Sequence, residues 1–209
     1  MTSAACDWPD RGGGAARPQM TYDKKTGKLT LMAVDFNKDG KIDTWTYMDG
    51  AKPVRTEQDM DGDGKIERWE YTRPDGSAEK VAVSRAKNGV PDMWTYFGPT
   101  GEIVRVETAF VQSNGTTGAV QRTELYESDR LVRVEEDTDG DGRVDKWEFH
   151  DGPIVQAVEF DYDHDGKPDE RITMAPDGRV TDRQKLTGQP SKTRSGGRGS
   201  LRGPLTRNG

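Results

Sequence analysis

Four segments of this chain crowd acidic side chains together at one fixed spacing. Each segment has the pattern D-x-[DN]-x-[DN]-G, with a further acid at its ninth position. Three or four negative charges within nine residues repel one another unless a cation neutralises them. The spacing therefore suggests that oxygen atoms of these side chains bind a divalent cation. Positions 1, 3, 5 and 9 are Asp35, Asn37, Asp39 and Asp43 in the first loop, Asp59, Asp61, Asp63 and Glu67 in the second, Asp137, Asp139, Asp141 and Asp145 in the third, and Asp161, Asp163, Asp165 and Asp169 in the fourth.

This pattern resembles the calcium-binding loop of EF-hand proteins. The resemblance implies that positions 1, 3 and 5 bind the ion, that glycine at position 6 permits the bend, and that position 9 binds directly or through water. EF-hand loops end in a bidentate glutamate at position 12, and Glu70 and Glu148 match it in the second and third loops. The first and fourth loops match only through position 9, so we expect them to bind more weakly or to use more water. Position 7 would contribute a backbone carbonyl, and the residues there are Lys41, Lys65, Arg143 and Lys167.

The acidic loops belong to a longer repeat of about 24 residues, whose copies start at positions 35, 59, 84, 137 and 161. The copy that starts at Ser84 keeps Asn88 and Gly89 but has lost the first two acids. A further altered copy is expected between residues 106 and 136. The copy at Ser84 indicates that a turn can form there without three acids. Asp, Asn and Gly as simple turn formers are the alternative to metal binding, but a turn alone would not require the acids that the other four loops keep.

Between the loops, side chains alternate with a period of two. Asp43, Trp45 and Tyr47 share one face, and a turn at Asp49-Gly50 precedes a returning strand. A helix after each loop, as in EF-hands, would have only about seven residues, too few to be stable. We therefore predict an all-β fold: tandem β-hairpins that form an elongated, curved antiparallel meander with the acidic loops between hairpins. In this setting Glu70 and Glu148 could point away from the loops, because the EF-hand orientation assumes an exiting helix.

Composition sets the size of the core and the domain boundaries. Apolar residues make up 31% of the chain and charged residues 33%, whereas about 45–50% apolar is usual. The aromatic face of the sheet is expected to be the only substantial core. We expect a flexible linker over residues 1–20, the repeat domain over 21–181 and a disordered basic tail over 182–209.

Several classes of function are disfavoured. The net charge of −6 repels phosphate, so nucleic acid is not an expected partner. No apolar run approaches the roughly 18 residues of a membrane span. With one cysteine and two histidines, nucleophile–base pairs are scarcely available, zinc lacks its usual ligands, and we expect no enzyme activity. Magnesium is less expected than calcium because it prefers strict octahedral geometry.

The residues around Cys6 resemble the end of a bacterial lipoprotein signal, without its apolar segment, which makes Cys6 a candidate for a lipid anchor. With its acidic loops between tandem hairpins, the protein is similar to bacterial EF-hand-containing surface lipoproteins. That similarity implies a calcium-stiffened scaffold of the cell envelope or surface, with a protein partner in an envelope or adhesion assembly. One alternative is a carbohydrate-binding module that uses Trp45, Trp69, Trp94 and Trp147. Another is an intracellular calcium buffer or sensor, so secreted and cytoplasmic locations stay open.

Overall fold

The computed structural model describes residues 17–112 and 115–186. These residues form one open sheet of fourteen antiparallel strands, whose spatial order is their order in the chain. The predicted all-β meander of hairpins is confirmed. The strands are β1 (Gln19–Tyr22), β2 (Leu29–Val34), β3 (Thr44–Asp49), β4 (Lys52–Gln58), β5 (Arg68–Thr72), β6 (Ala78–Val83), β7 (Met93–Phe97), β8 (Ile103–Val111), β9 (Thr117–Glu127), β10 (Arg130–Glu136), β11 (Lys146–Asp151), β12 (Ile154–Phe160), β13 (Glu170–Met174) and β14 (Val180–Lys185).

The strands pair as seven hairpins, and each hairpin has one unpaired residue at the same place in its second strand. An extra residue of this kind is a β-bulge, which locally increases the strand twist. The common bulge shows that the seven hairpins are copies of one unit. The bulge residues are Thr30, Val54, Glu79, Val104, Val132, Gln156 and Thr181.

The repeat identified in the sequence does not include the first of these seven hairpins. Strands β1 and β2 have the bulge but no acidic loop before them, and the acidic loop was the feature that aligned the other copies. The altered copy expected before residue 136 is present: β8 and β9 run long and are joined by a short connection instead of an acidic loop. The loop expected over residues 115–118 is wrongly placed, because β8 ends at Val111 and β9 begins at Thr117, so Thr117 and Gly118 belong to a strand.

The sheet extends slightly beyond the expected repeat domain at both ends. Strand β1 begins at Gln19 and β14 ends at Lys185, whereas the sequence suggested residues 21–181. Cys6 and the rest of residues 1–16 of the expected linker, and residues 187–209 of the expected basic tail, lie outside the described residues. Among the described residues there is no helix with the length and apolar character that a membrane span requires.

One face of the sheet, the aromatic face, alternates ring and charged side chains across neighbouring strands. Directly paired residues share a face, so the register places Trp45, Glu57 and Trp69 side by side. In the next row, the guanidinium of Arg55 lies 4.4 Å from the centre of the Tyr47 ring. Similar cation–π contacts join Lys80 to Tyr71 at 4.6 Å and Arg105 to Tyr96 at 4.1 Å. Neighbouring strands therefore hold this face together laterally.

The aromatic face is not the only core, which corrects the prediction. Trp69 is buried on the aromatic face, but the opposite face buries valine and isoleucine side chains. The sheet is a single layer, so each face buries side chains only against their lateral neighbours, and neither face becomes a deep core. The buried apolar residues of the opposite face are Val106, Val134, Val158 and Ile172.

Candidate metal centres

The acidic loops lie at the same end of the strands, and each joins one hairpin to the next. The backbone closes each loop, because the N–H at position 9 donates to the carbonyl just before position 1. Glu67 donates in this way to Gln58 and Asp145 to Glu136, both at 2.9 Å. Neighbouring loops are joined as well: the N–H of Asp161 donates to the carbonyl of Asp145 at 2.9 Å. Loops on either side of one hairpin therefore stack against each other.

The carboxylate at position 1 organises each loop from the inside. Asp59 accepts the N–H of Gly62 at 2.7 Å and that of Gly64 at 2.9 Å. Asp137 makes the corresponding two bonds at 2.7 and 2.8 Å. Gly64 has a φ of 88°, which a residue with a side chain rarely adopts. This explains why glycine stands at position 6 of all four acidic loops.

Side chains at positions 3 and 5 form consecutive turns. Oδ1 of Asp61 accepts the N–H of Asp63 at 3.4 Å, and Oδ1 of Asp63 accepts that of Lys65 at 2.8 Å. These residues thus act as turn formers, as the alternative interpretation held. Their second oxygens contact ammonium groups instead: Asp61 contacts Lys87, and Asp63 contacts Lys65, both at 2.9 Å. The same turns occur at Asn37, Asp39, Asp139, Asp141, Asp163 and Asp165.

The acid at position 9 fastens the start of its loop. Oδ2 of Asp43 accepts the N–H of Phe36 at 2.8 Å, and Oδ2 of Asp169 accepts that of Tyr162 at 2.8 Å. The copy without the first two acids keeps this residue: Asp92 is only 1% exposed and accepts the N–H of Arg85 at 3.1 Å. Position 9 therefore has a structural role that does not require an acidic loop. The resemblance to EF-hands assigned it only to the ion.

Three of the four loops bring acids close enough to share one ion. Within each group, one carboxylate oxygen per residue lies within 4.8 Å of the others. The first loop does not appear among these groups of the described residues, and Asn37 replaces an acid there. Asp165 is absent from the fourth-loop group as well. The groups are Asp59, Asp61, Asp63 and Glu67; Asp137, Asp139 and Asp141; and Asp161, Asp163 and Asp169.

Two of these groups contain a buried carboxylate oxygen without a hydrogen-bond partner. Glu67 is 4% exposed, and its Oε2 accepts the N–H of Met60 at 2.7 Å while its Oε1 has no partner. Asp161 is also 4% exposed, and its Oδ1 has no partner. Buried polar atoms are nearly always paired with protein, water or an ion. Turn formation alone does not explain these two oxygens.

The fourth loop also favours the ionised form of its buried acid. Burial raises the pKa of Asp161, but the hydrogen bond from the backbone N–H of Gly166 to its Oδ2 at 2.7 Å, together with the nearby N–H groups of His164 and Asp165, outweighs this effect. The pKa of Asp161 therefore lies below its ordinary value. A carboxylate that stays ionised in a shielded position is suited to bind a cation.

Glu70 and Glu148 do not complete the loops as position-12 ligands would. Successive side chains of a strand point to opposite faces, so Glu70 lies on the face opposite Trp69 and Glu67. There it pairs with Arg68 at 2.7 Å, while Glu148 pairs with Lys146 at 2.7 Å. A helix would have returned these residues to the loop, and a strand does not. Although the second and third loops match all twelve positions of the EF-hand pattern in sequence, their position-12 glutamates do not reach the loops in the structure.

Stacking of the loops brings together residues that sequence reasoning kept apart. Position 4 of one loop lies beside position 3 of the preceding loop: Lys87 reaches Asp61, and Nδ1 of His164 lies 3.7 Å from Oδ2 of Asp139. The sequence feature that could have predicted the contact between His164 and Asp139 is the short hairpin between consecutive loops, because it brings those loops side by side. At position 7, the N–H groups of Lys41, Lys65, Arg143 and Lys167 donate to position 5, and the carbonyl role of these residues stays a prediction.

Comparison with known proteins assigns no family. No family model matches the chain, and no curated protein matches it. Similar solved structures include the accessory secretory proteins 1, 2 and 3 of Streptococcus pneumoniae, at 13% identity and a TM-score of 0.36 over 57% of this chain and 20% of that one. TarM matches at 13% identity and a TM-score of 0.36, over 52% of this chain and 20% of that one. The GtfA/B complex bound to UDP and GlcNAc matches at 11% identity and a TM-score of 0.24, over 60% and 25%. The chain spans a quarter or less of these structures, and similarity at this level does not indicate a shared function.

Proposed function

We propose that this protein binds calcium in its acidic loops and is a scaffold stiffened by that calcium. The main support for this proposal is that the acid groups of the second and fourth loops each include a buried carboxylate oxygen without a hydrogen-bond partner. These oxygens are Glu67 Oε1 and Asp161 Oδ1. A bound cation would satisfy both oxygens and reduce the repulsion among the neighbouring carboxylates. Because each loop joins two hairpins, the ion would also restrain one hairpin relative to the next.

The ligand chemistry favours calcium over the other common divalent ions. The second loop offers four carboxylates and no nitrogen or sulfur ligand within its group. Calcium accepts six to eight oxygens in flexible geometry, so water and backbone carbonyls can complete its shell. Magnesium requires a stricter octahedron, and structural zinc sites prefer Cys and His. For loops without a helical frame we expect dissociation constants of about 10⁻⁴–10⁻³ M, the range of extracellular calcium modules.

A scaffold role in the cell envelope or at the cell surface agrees with that affinity range, because a cytoplasmic protein would rarely meet so much calcium. The single-layer sheet offers two broad faces to a protein partner.

The carbohydrate-binding alternative is weakened by the aromatic face itself. Sugars stack on the faces of rings, and the rings of Tyr47 and Tyr96 are already contacted by Arg55 and Arg105. Trp69 is only 9% exposed.

The experiment is calcium titration of the full chain by isothermal calorimetry, with Glu67→Gln as the test variant. Glutamine keeps the length of the side chain and an oxygen acceptor for the N–H of Met60, but removes the charge. We expect this variant to lose one calcium site or to bind there at least about tenfold more weakly. The matched control is Asp92→Asn, at the same loop position of the copy without the first two acids, which should leave calcium binding unchanged. Wild-type protein that binds no calcium at millimolar concentration would refute the proposal.

A further inference from the structure

We propose a second kind of metal site, for a transition-metal ion such as Zn²⁺, between the third and fourth loops. It consists of His164 from the fourth loop and Asp139 and Asp145 from the third. One ligand atom of each residue lies within 4.8 Å of the other two. This site has a nitrogen ligand and joins two loops, whereas each calcium site lies within one loop. It does not rest on the calcium proposal, because its geometry stands without a calcium ion.

The ring nitrogen of His164 that lies nearest Asp139 has no hydrogen-bond partner of its own. Nδ1 of His164 is shielded from solvent and makes no hydrogen bond. Its 3.7 Å separation from Oδ2 of Asp139 is too long for a hydrogen bond. The side chain as a whole is 40% exposed, so the ring reaches the surface while Nδ1 does not. A metal ion would give this shielded, unpaired nitrogen a partner beside the carboxylate of Asp139.

The distance between Nδ1 of His164 and Oδ2 of Asp139 is compatible with the bond lengths that zinc forms. Two ligands at about 2.1 Å from one ion are 3.7 Å apart when they subtend an angle of about 124°, close to the tetrahedral range. Asp145 is already held in place, because it is 5% exposed and its Oδ2 accepts the Oγ1–H of Thr138 at 2.9 Å. The Arg143 side chain donates to the carbonyl of His164 at 3.3 Å and fixes one loop against the other. Water would occupy the remaining position.

The chemistry of the ligands separates this ion from calcium. Imidazole nitrogen favours Zn²⁺, Ni²⁺, Co²⁺ and Cu²⁺, whereas calcium selects oxygen ligands. Position 4 of every other acidic loop lacks a metal-binding nitrogen, and the residues there are Lys38, Gly62 and Gly140. Only the third and fourth loops can therefore form such a site. Because Asp139 also belongs to the third-loop acid group, the two ions would share one carboxylate.

The test is titration of untagged, calcium-free protein with Zn²⁺ by calorimetry, with Co²⁺ absorption as a second readout. His164→Gly is the test variant. His164 has a φ of 57°, and glycine already occupies position 4 of the second and third loops, so the backbone can be kept. His150→Gln is the matched control, since it removes the only other histidine. We expect His164→Gly to weaken Zn²⁺ binding at least about tenfold and to abolish nitrogen-dependent Co²⁺ absorption, with no change in His150→Gln.

A variant that kept the wild-type affinity for Zn²⁺ after loss of His164 would overturn this site, as would loss of binding in His150→Gln. Nitrogen NMR of the wild-type histidine rings gives the same answer without a variant: Zn²⁺ must shift Nδ1 of His164 and leave His150 unchanged. A calcium titration of His164→Gly separates the two proposals. Calcium binding should persist there, so failure of the zinc site and failure of the calcium sites give different results.

Discussion

Asp92 offers the sharpest test of what the acid at position 9 does. Its carboxylate is 1% exposed and accepts the backbone N–H groups of Arg85 at 3.1 Å and Ala86 at 3.2 Å. It also accepts from the Arg85 side chain, which is 48% exposed. Replacement by alanine leaves two backbone donors without their acceptor at the start of the loop. We expect the loop to open locally and the free energy of unfolding to fall.

The magnitude follows from the two backbone bonds. A hydrogen bond to a charged acceptor contributes about 1.5–3 kcal/mol, so Asp92→Ala should cost about 3 kcal/mol, taking the low end for each bond. The partly exposed ion pair with Arg85 adds little. Asp92→Asn keeps one oxygen acceptor and should cost about half as much. Because this loop lacks the first two acids, the cost should be the same with calcium and with a chelator.

The assay is urea unfolding followed by tryptophan fluorescence and circular dichroism, in calcium and in chelator. Hydrogen exchange at Arg85 and Ala86 reports the local opening directly. A loss below about 1 kcal/mol would refute the structural role assigned to position 9. A loss that occurs in calcium and disappears in chelator would show instead that this loop binds an ion.

Two further predictions concern charges at the edge of the loops and on the opposite face. Lys87 pairs with Asp61 at 2.9 Å and competes with a cation for the second loop, so Lys87→Met should tighten calcium binding there by roughly two- to threefold in calorimetry. Burial, and next the hydrogen bond to Glu124, raise the pKa of Tyr126 to about 12. A raised tyrosine pKa stabilises the fold fully below the unfolded value near 10 and loses this contribution as the pH rises towards 12. Tyr126→Phe should therefore reduce the alkaline loss of stability in thermal melts, and an unchanged pH profile would contradict the assignment.

Local sequence chemistry determined the secondary structure and most of the loop geometry. The period of two around Trp45 and Tyr47 predicts strands because alternation places every second side chain on one face. The Asp and Gly spacing predicts tight turns, and Asp59 and Gly64 form one as expected. These properties depend on residues close together in the chain, so a single sequence can predict them. The first hairpin was missed because it lacks the acidic loop that marks the other copies.

Only the tertiary structure decided where the remaining ligand candidates lie. Glu70 is on the far face because a strand, and not a helix, follows the loop. Val134, which is fully buried, shows that the opposite face also contributes to the core. His164 and Asp139 lie 25 positions apart in the chain, and the stacking of consecutive hairpins brings them to 3.7 Å. The sequence determined which side chains each loop contains, and strand register determined which of them meet, because contacts between loops depend on pairing across the whole sheet.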